Sequence, residues 1–377
     1  MNPPTLHLIS VFHTQLNSRT TSCAFSQKVL RFSKMMHLKG YRIIEYANAG
    51  SESEADEKVV MLTQEEFDQF YPKQKPSDFV GSYATIGDRG WPTFNSRLII
   101  ALMERVKPGD LICHSFGRSH QSLPQIFPNV AHIEVAVGYP DLEFGCYRIF
   151  ESETWRAWHW GKGDGGTGKG MSKTYSFVIP NYFDLDEWPT GDGQHDNAVY
   201  MGRITPEKGM STLVEIIRND AGKTRFTFAG QGDFEGLVEA PLGGPKPNVS
   251  FVGPLTGMMR AALMRTARCS LMPTQFCEPF GGSGVEGMLC GTPLISSNFG
   301  AFVETVDHGV TGYRCNTLAD WLAAIDASKR LDRTMVASIS RSKYSLETCA
   351  RQYDAAFRQI ADLSEKGWYS PNSYRIP

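Results

Sequence analysis

Short apolar runs alternate with helix-like patterns along the first half of the chain. Residues 5–11, 41–47, 110–116, 130–138 and 175–180 read as strands, and residues 25–38, 64–70 and 94–106 as helices. In the first helix Phe25, Val29, Phe32 and Met36 recur at helical spacing and draw an apolar stripe. A second series starts at residue 198, with strands at 198–202, 225–229, 249–252, 269–272 and 293–296. Helical patterns at 210–218, 257–266 and 284–290 lie between them. Such alternation builds largely parallel sheets covered on both faces, so the chain reads as α/β with two Rossmann-like domains. Their expected limits are residues 1–190 and 191–350, with a helix and tail at 351–377. The Asp-, Gly- and Pro-rich stretch 184–197 reads as the linker. Ligands of open α/β sheets sit at the carboxyl ends of strands, which places function in a cleft between the domains.

Composition narrows the class. A chain of 377 residues holds two domains with cores of their own, and 41% hydrophobic with 21% charged residues excludes wholesale disorder. No run approaches the roughly eighteen apolar residues of a membrane span, so none is expected. Residues 1–13 lack the basic start and apolar core of a secretory signal. The eight cysteines are scattered without a C-x-x-C pair, which argues for reduced thiols in a cytoplasmic setting and against a zinc site. A net charge of −2 predicts no polyanionic partner in bulk. Locally the balance differs, because Lys28, Arg31, Lys34 and Lys39 fall beside the apolar stripe of the first helix. Two readings stand: a solvated face, or a patch for an anionic acceptor, membrane or nucleic acid.

Residues 161–170 read GKGDGGTGKG, and the spacing from Gly163 to Lys169 imitates a phosphate loop. Position 170 is Gly where Ser or Thr would bind magnesium, and residues 155–160 do not read as a strand, so a plain loop is expected. The informative segment is Met272 to Gly291, MPTQFCEPFGGSGVEGMLCG. A strand ends near Pro273, a glycine-bearing loop follows, and an apolar helix starts near Ser283. Backbone N–H groups at that helix start, approached closely at Gly281, Gly282 and Gly284, form a cradle for a diphosphate. Glu278 falls at its mouth and Glu286 one turn inside the helix, where carboxylates suit sugar hydroxyls. The bland alternatives are an ordinary loop charge for Glu278 and a Ser283–Glu286 capping box for Glu286.

Met201 to Gly209, MGRITPEKG, follows a strand and opens a helix at Thr205-Pro206. Lys208 in a first turn opposes the helix dipole unless an anion lies nearby. Together with Arg203 it can converge on the same diphosphate and stabilise leaving-group charge. For Lys208 alone, a surface role is the alternative.

Taken in order, Gly202-Arg203, Glu207-Lys208-Gly209, Glu278-Pro279-Phe280-Gly281, Glu286-Gly287-Met288 and Gly291-Thr292-Pro293 resemble the donor domain of family 4 retaining glycosyltransferases. Gly300-Ala301 with Glu304 and Gly309-Val310-Thr311-Gly312 continue the pattern, and Ile179-Pro180-Asn181 with Asp184 is similar to that family's interdomain crossover. The resemblance implies the GT-B fold: two Rossmann-like domains facing across a cleft, with the C-terminal helix returning to the N-terminal domain. It implies that Gly202, Arg203 and Lys208 hold the diphosphate and Glu286 the ribose hydroxyls. Glu278, with the backbone of Phe280, Gly281 and Gly282, would hold the transferred sugar. His114, in DLICHS, sits where a strand-end histidine of the family faces the sugar, although a structural histidine fits there equally; His120 and His132 carry weaker signals. Glu278 and His114 are thus the catalytic candidates.

The implied chemistry is front-face attack with retention, a donor phosphate oxygen taking the acceptor's proton. The D-x-D at Asp184–Asp186 lies in the crossover rather than a cradle loop, so neither metal nor cofactor is expected. The donor would be a nucleotide-diphosphate sugar, a UDP-sugar by family frequency, and the acceptor a hydroxyl of a glycan or small molecule. The N-terminal half departs from the pattern. Residues 12–17, FHTQLN, lack the family's glycine-rich loop, leaving His13 or Thr14 to replace it. The layout of residues 21–36 and 87–95 is similar to glycosyltransferases encoded by phages and large viruses, which brings in hydroxymethylated DNA bases as an alternative acceptor. A phosphorylase or epimerase, or a non-catalytic nucleotide-sugar-binding protein, remain the readings of other classes.

Overall fold

The computed structural model describes residues 3–18, 24–71, 89–140, 147–162, 176–193 and 195–365. The phosphate-loop-like spacing 163–169, Cys23, Cys146 and the start of segment 87–95 lie outside the described residues. Two compact units emerge. The first comprises described residues within Met1–Glu151, Arg156–Tyr182 and Leu346–Pro377; the second comprises Ser152–Trp155 and Phe183–Ser345.

In the first unit β1 (Leu6–Ile9), β2 (Ile43–Ala47), β3 (Glu57–Val60), β4 (Leu111–His114), β5 (Ala131–Val137), β6 (Tyr147–Phe150) and β7 (Ser176–Val178) form a parallel sheet in the order 3-2-1-4-5-6-7. In the second, β8 (His195–Met201), β9 (Arg225–Ala229), β10 (Val249–Phe251), β11 (Ala267–Met272), β12 (Leu294–Ser297) and β13 (Gly312–Cys315) are parallel in the order 10-9-8-11-12-13. Both orders reverse between the first and fourth strand of their unit, the doubly wound pattern whose switch point opens a ligand crevice. Strands such as LHLI and ARCSLM are buried throughout, as a sheet covered on both faces requires.

The helices of the first unit are α1 (Ala24–His37), α2 (Gln64–Phe70), α3 (Gly90–Arg105), α4 (Leu123–Ile126) and α5 (Glu153–Lys162), whose opening residues belong to the second unit. The second unit continues with α6 (Met210–Asn219), α7 (Gly257–Thr266), α8 (Gly282–Leu289), α9 (Phe302–Thr305), α10 (Leu318–Ala327) and α11 (Arg333–Tyr344). The final helix, α12 (Leu346–Glu365), returns to the first unit. There Tyr353, Phe357 and Ile360 are fully buried, with Tyr353 and Phe357 edge-on or tilted against Phe32. Burying each such side chain contributes about 1.5–3 kcal/mol. No described helix is long and apolar enough to cross a membrane.

The stripe of α1 faces the core as expected: Val29, Phe32 and Met36 are buried. Lys28 departs from the solvated flank assigned to it. Its ammonium ion pairs with the buried Glu151 carboxylate, and its carbonyl accepts from Tyr182 Oη. A lysine whose charge is held by a buried acid is not available to a surface patch, so the four-charge reading of this helix loses one member.

Candidate active site

The loops after β8 and β11, the two strands at the switch point of the second sheet, meet at Gly209. That residue has φ +82°, and a Cβ there would collide with the Pro273 carbonyl oxygen. Only glycine permits this turn and this approach together. Ahead of it Thr205 begins a 3₁₀ turn, Pro206–Lys208, and α6 follows. The approach brings Lys208 onto the β11 loop. Its Nζ lies 2.7 Å from Glu278 Oε2 and 4.6 Å from the centre of the Phe276 ring. Both side chains are only 12% and 11% exposed, so each charge offsets the desolvation of the other. Arg203 sits half-buried in the same β8 loop, where its carbonyl accepts from Tyr200 Oη. Gly202 donates to Ala229 O at 2.9 Å, holding the loop's root to β9. Thus Gly202, Arg203, Lys208 and Glu278 belong to two loops that are joined by the Lys208–Glu278 pair and by the Gln275 N–H, which donates to Glu207 O at 2.9 Å.

The segment after Glu278 builds the helix start. Phe280 is buried between Phe183 and Tyr344, so what it offers to a ligand is backbone. Gly281, at φ +82°, is the N-cap of α8, and a Cβ there would lie 2.6 Å from the Phe302 ring. Nothing lies within 4 Å of the position a Gly282 Cβ would take, so that turn is open. Gly284, expected in the cradle, instead packs inward: its Cβ would meet Leu294 and Met272. The capping-box alternative for Glu286 is not what forms. The helix is capped at Gly281 without a side-chain hydrogen bond, and Ser283 Oγ lies against Met272 Sδ at 3.8 Å. Glu286 instead ion pairs with Arg260 of α7.

Glu304, carried by α9, closes a further contact within this unit. Its carboxylate accepts from the backbone N–H of Glu153 and Thr154 at 2.8 and 2.7 Å and from Thr154 Oγ1 at 2.5 Å. It is an N-cap supplied from another element, placing a negative charge at the positive end of α5. Ser152 Oγ donates to Pro279 O at 2.7 Å beside it. Glu304→Ala should lower stability by about 1–2 kcal/mol, typical of a lost cap, and Glu304→Gln by less. Urea unfolding checks this; equal losses for both variants would contradict the capping role.

His114 belongs to the first unit, at the carboxyl end of β4, fully buried. Its Nε2 lies 2.9 Å from His132 Nδ1, and His132 Nε2 lies 3.1 Å from the Phe127 carbonyl oxygen. A carbonyl only accepts, so His132 carries its proton on Nε2. Burial pushes both imidazoles down to about 3, so each is neutral. His132 Nδ1 then accepts, His114 donates from Nε2, and His114 Nδ1 holds a lone pair. His120 is buried 6.3 Å away, ring centre to ring centre, with Nδ1 2.8 Å from Asn95 Oδ1. His13 is buried against Phe12 and Phe116, its pKa pushed down to about 3 by burial. Thr14 Oγ1 is engaged with Ser26 Oγ at 2.5 Å, and Asn48 Nδ2 donates to the carbonyls of Phe12 and Thr14. Side-chain hydrogen bonds thus hold the loop that lacks glycine. In the D-x-D, Asp184 Oδ1 accepts from the Asp186 N–H at 3.2 Å and starts a turn.

The order of these motifs along one parallel sheet has a counterpart among known proteins. Residues 195–330 match the family of glycosyl transferases group 1. The group 1 segment thus carries all of the candidate residues named above from the second unit between Gly202 and Glu304. The chain is 32% identical to the glycogen synthase of Mycobacterium tuberculosis over 151 residues, 37% of this chain and 35% of that protein. It spans about a third to a half of the length of the curated relatives it matches. Among solved structures it is similar to AviGT4, a glycosyltransferase involved in avilamycin A biosynthesis, with TM-score 0.66 and 17% identity over 96% of this chain and 98% of that one. It is also similar to Anabaena HepE in a complex with UDP and glucose, with TM-score 0.64 and 15% identity over 94% and 99% of the two chains. The fold is therefore the GT-B class of parallel Rossmann-like units. Arg260 and Phe276 contact the group 1 residues without having been singled out in the sequence. Arg260 is 26 positions from its partner, and no local pattern signals the pairing.

Proposed function

We propose that this chain is a retaining, metal-independent glycosyltransferase that moves a hexose from a nucleotide-diphosphate sugar to a hydroxyl of a glycan or small molecule. The observation that carries the reading is the Lys208–Glu278 pair at the mouth of the loop leading to Gly281 and α8. A cation and open backbone N–H groups suit a diphosphate, and a carboxylate suits the hydroxyls of the sugar attached to it. Arg203 and Lys208 stabilise the charge developing on the leaving diphosphate, and Glu278 and Glu286 orient sugar and ribose. UDP is the preferred nucleotide, since HepE is described with UDP and glucose. Transfer to hydroxymethylated DNA bases is the weaker acceptor reading, because Lys28 is committed to Glu151.

A thermal-shift panel of UDP, GDP, ADP and their sugars tests the donor assignment. A ligand at a hundred times its dissociation constant stabilises the native state by about 2.7 kcal/mol, an unmistakable rise in Tm. One nucleotide family should stand out. No shift with any member would refute the reading.

A further inference from the structure

We propose that Arg260 is an additional donor-binding residue, which with Glu286 forms a paired edge for the ribose diol of the nucleotide. The inference rests on the reading of Glu286 as a ribose contact and names a partner for it. Arg260 lies in the first turn of α7, and its guanidinium reaches across to Glu286 Oε2 on α8. The two side chains are 21% and 13% exposed, so the pair faces solvent along one edge. Among the described residues, Arg260 makes this one hydrogen bond and Glu286 Oε1 makes none. A guanidinium has five N–H donors, so unused donors stand beside an unused carboxylate oxygen.

A vicinal diol is the chemical complement of that edge. Each hydroxyl both donates and accepts, so one can donate to Oε1 while the oxygen of either accepts from Arg260. The arginine also holds the Glu286 carboxylate in one orientation, which a diol contact requires. In a purely structural tie between α7 and α8 the remaining guanidinium donors would be met by solvent alone. Such a tie would also not discriminate ribose from deoxyribose.

The test compares binding of UDP, GDP and ADP with their 2′-deoxy and 3′-deoxy forms by calorimetry. Wild-type protein should prefer a ribose diphosphate by roughly tenfold, the scale of one charge-assisted hydrogen bond. Arg260→Ala and Glu286→Ala should each bring that preference to near unity. Arg260→Lys keeps the charge but not the fork, and should recover part of it. In all of them the preference for a diphosphate over a monophosphate should stay as in the wild type, which separates a lost diol contact from a disrupted fold. If wild-type protein binds the diphosphates but ignores the deoxy substitution, the diol edge is refuted while the donor reading stands. If Arg260→Ala discriminates as well as the wild type, Arg260 is refuted and Glu286 alone is the ribose residue. If no nucleotide binds, both readings fall.

Discussion

Lys208→Ala is expected to weaken nucleoside diphosphate binding by roughly ten- to a hundredfold, since a charge-assisted contact is worth about 1.5–3 kcal/mol. Binding of the free nucleoside should hardly change. Without ligand the ammonium is committed to Glu278 Oε2 at 2.7 Å, so an arriving diphosphate must draw the lysine away or share it. Glu278→Gln removes that competition, and the expected result is opposite in sign: tighter UDP binding than in the wild type. Turnover should nevertheless fall at least tenfold, about 1.4 kcal/mol of barrier, because the amide no longer accepts sugar hydroxyls as a charged group does. Calorimetry with UDP and uridine, run beside initial rates, separates these effects. Equal losses of UDP and uridine in Lys208→Ala would mean that the cation does not touch phosphate. Weaker UDP binding in Glu278→Gln would contradict the exchange of partners.

Gly209→Ala should be the most damaging single methyl in the site. The left-handed backbone alone costs about 1 kcal/mol for a residue with a Cβ. Collision with the Pro273 carbonyl forces the Lys208 turn away from the β11 loop, and the total should reach about 3 kcal/mol. Gly222→Ala is the matched control. It has φ +73° with nothing within 4 Å of its would-be Cβ, and should lose only the conformational part. Urea unfolding gives both values, and UDP affinity should drop in the first variant alone. Similar stability losses in the two would show that the close approach of the loops does not matter.

Much of this architecture was legible because the parallel strands are continuous apolar runs between helical periods. The expected ranges 64–70, 225–229 and 257–266 coincide with α2, β9 and α7. What escaped has physical causes. The edge strand β3 reads EKVV, alternately half-buried and exposed, and four such residues carry no signal above a loop. β6 and β13 are equally short, and the start of α5, where Ser152 Oγ accepts from the Trp155 N–H at 3.0 Å, is completed by Glu304 from another part of the chain. In the site, Gly202, Arg203, Lys208, Glu278 and Glu286 could be picked out by the order of their motifs. Their bonding could not. Ser283 and Glu286 have capping-box spacing, yet Gly281 takes the N-cap and leaves the glutamate to Arg260. Lys28 has helix-surface spacing, yet the acid that binds it comes from the end of β6, more than a hundred residues later.

The return of α12 has a consequence for the order in which the protein matures on the ribosome. The second unit is closed by contacts between Phe183 and Ser345, so it can fold once that stretch has emerged. The first unit, though translated first, must wait for Tyr353, Phe357 and Ile360 to complete its core. At about 5–20 residues per second, its apolar face stays uncovered for many seconds after Tyr182 has been added. Phe32 and Tyr41, which α12 later covers, are then open to chaperones and to other nascent chains. The half of the molecule made first is the half that finishes last.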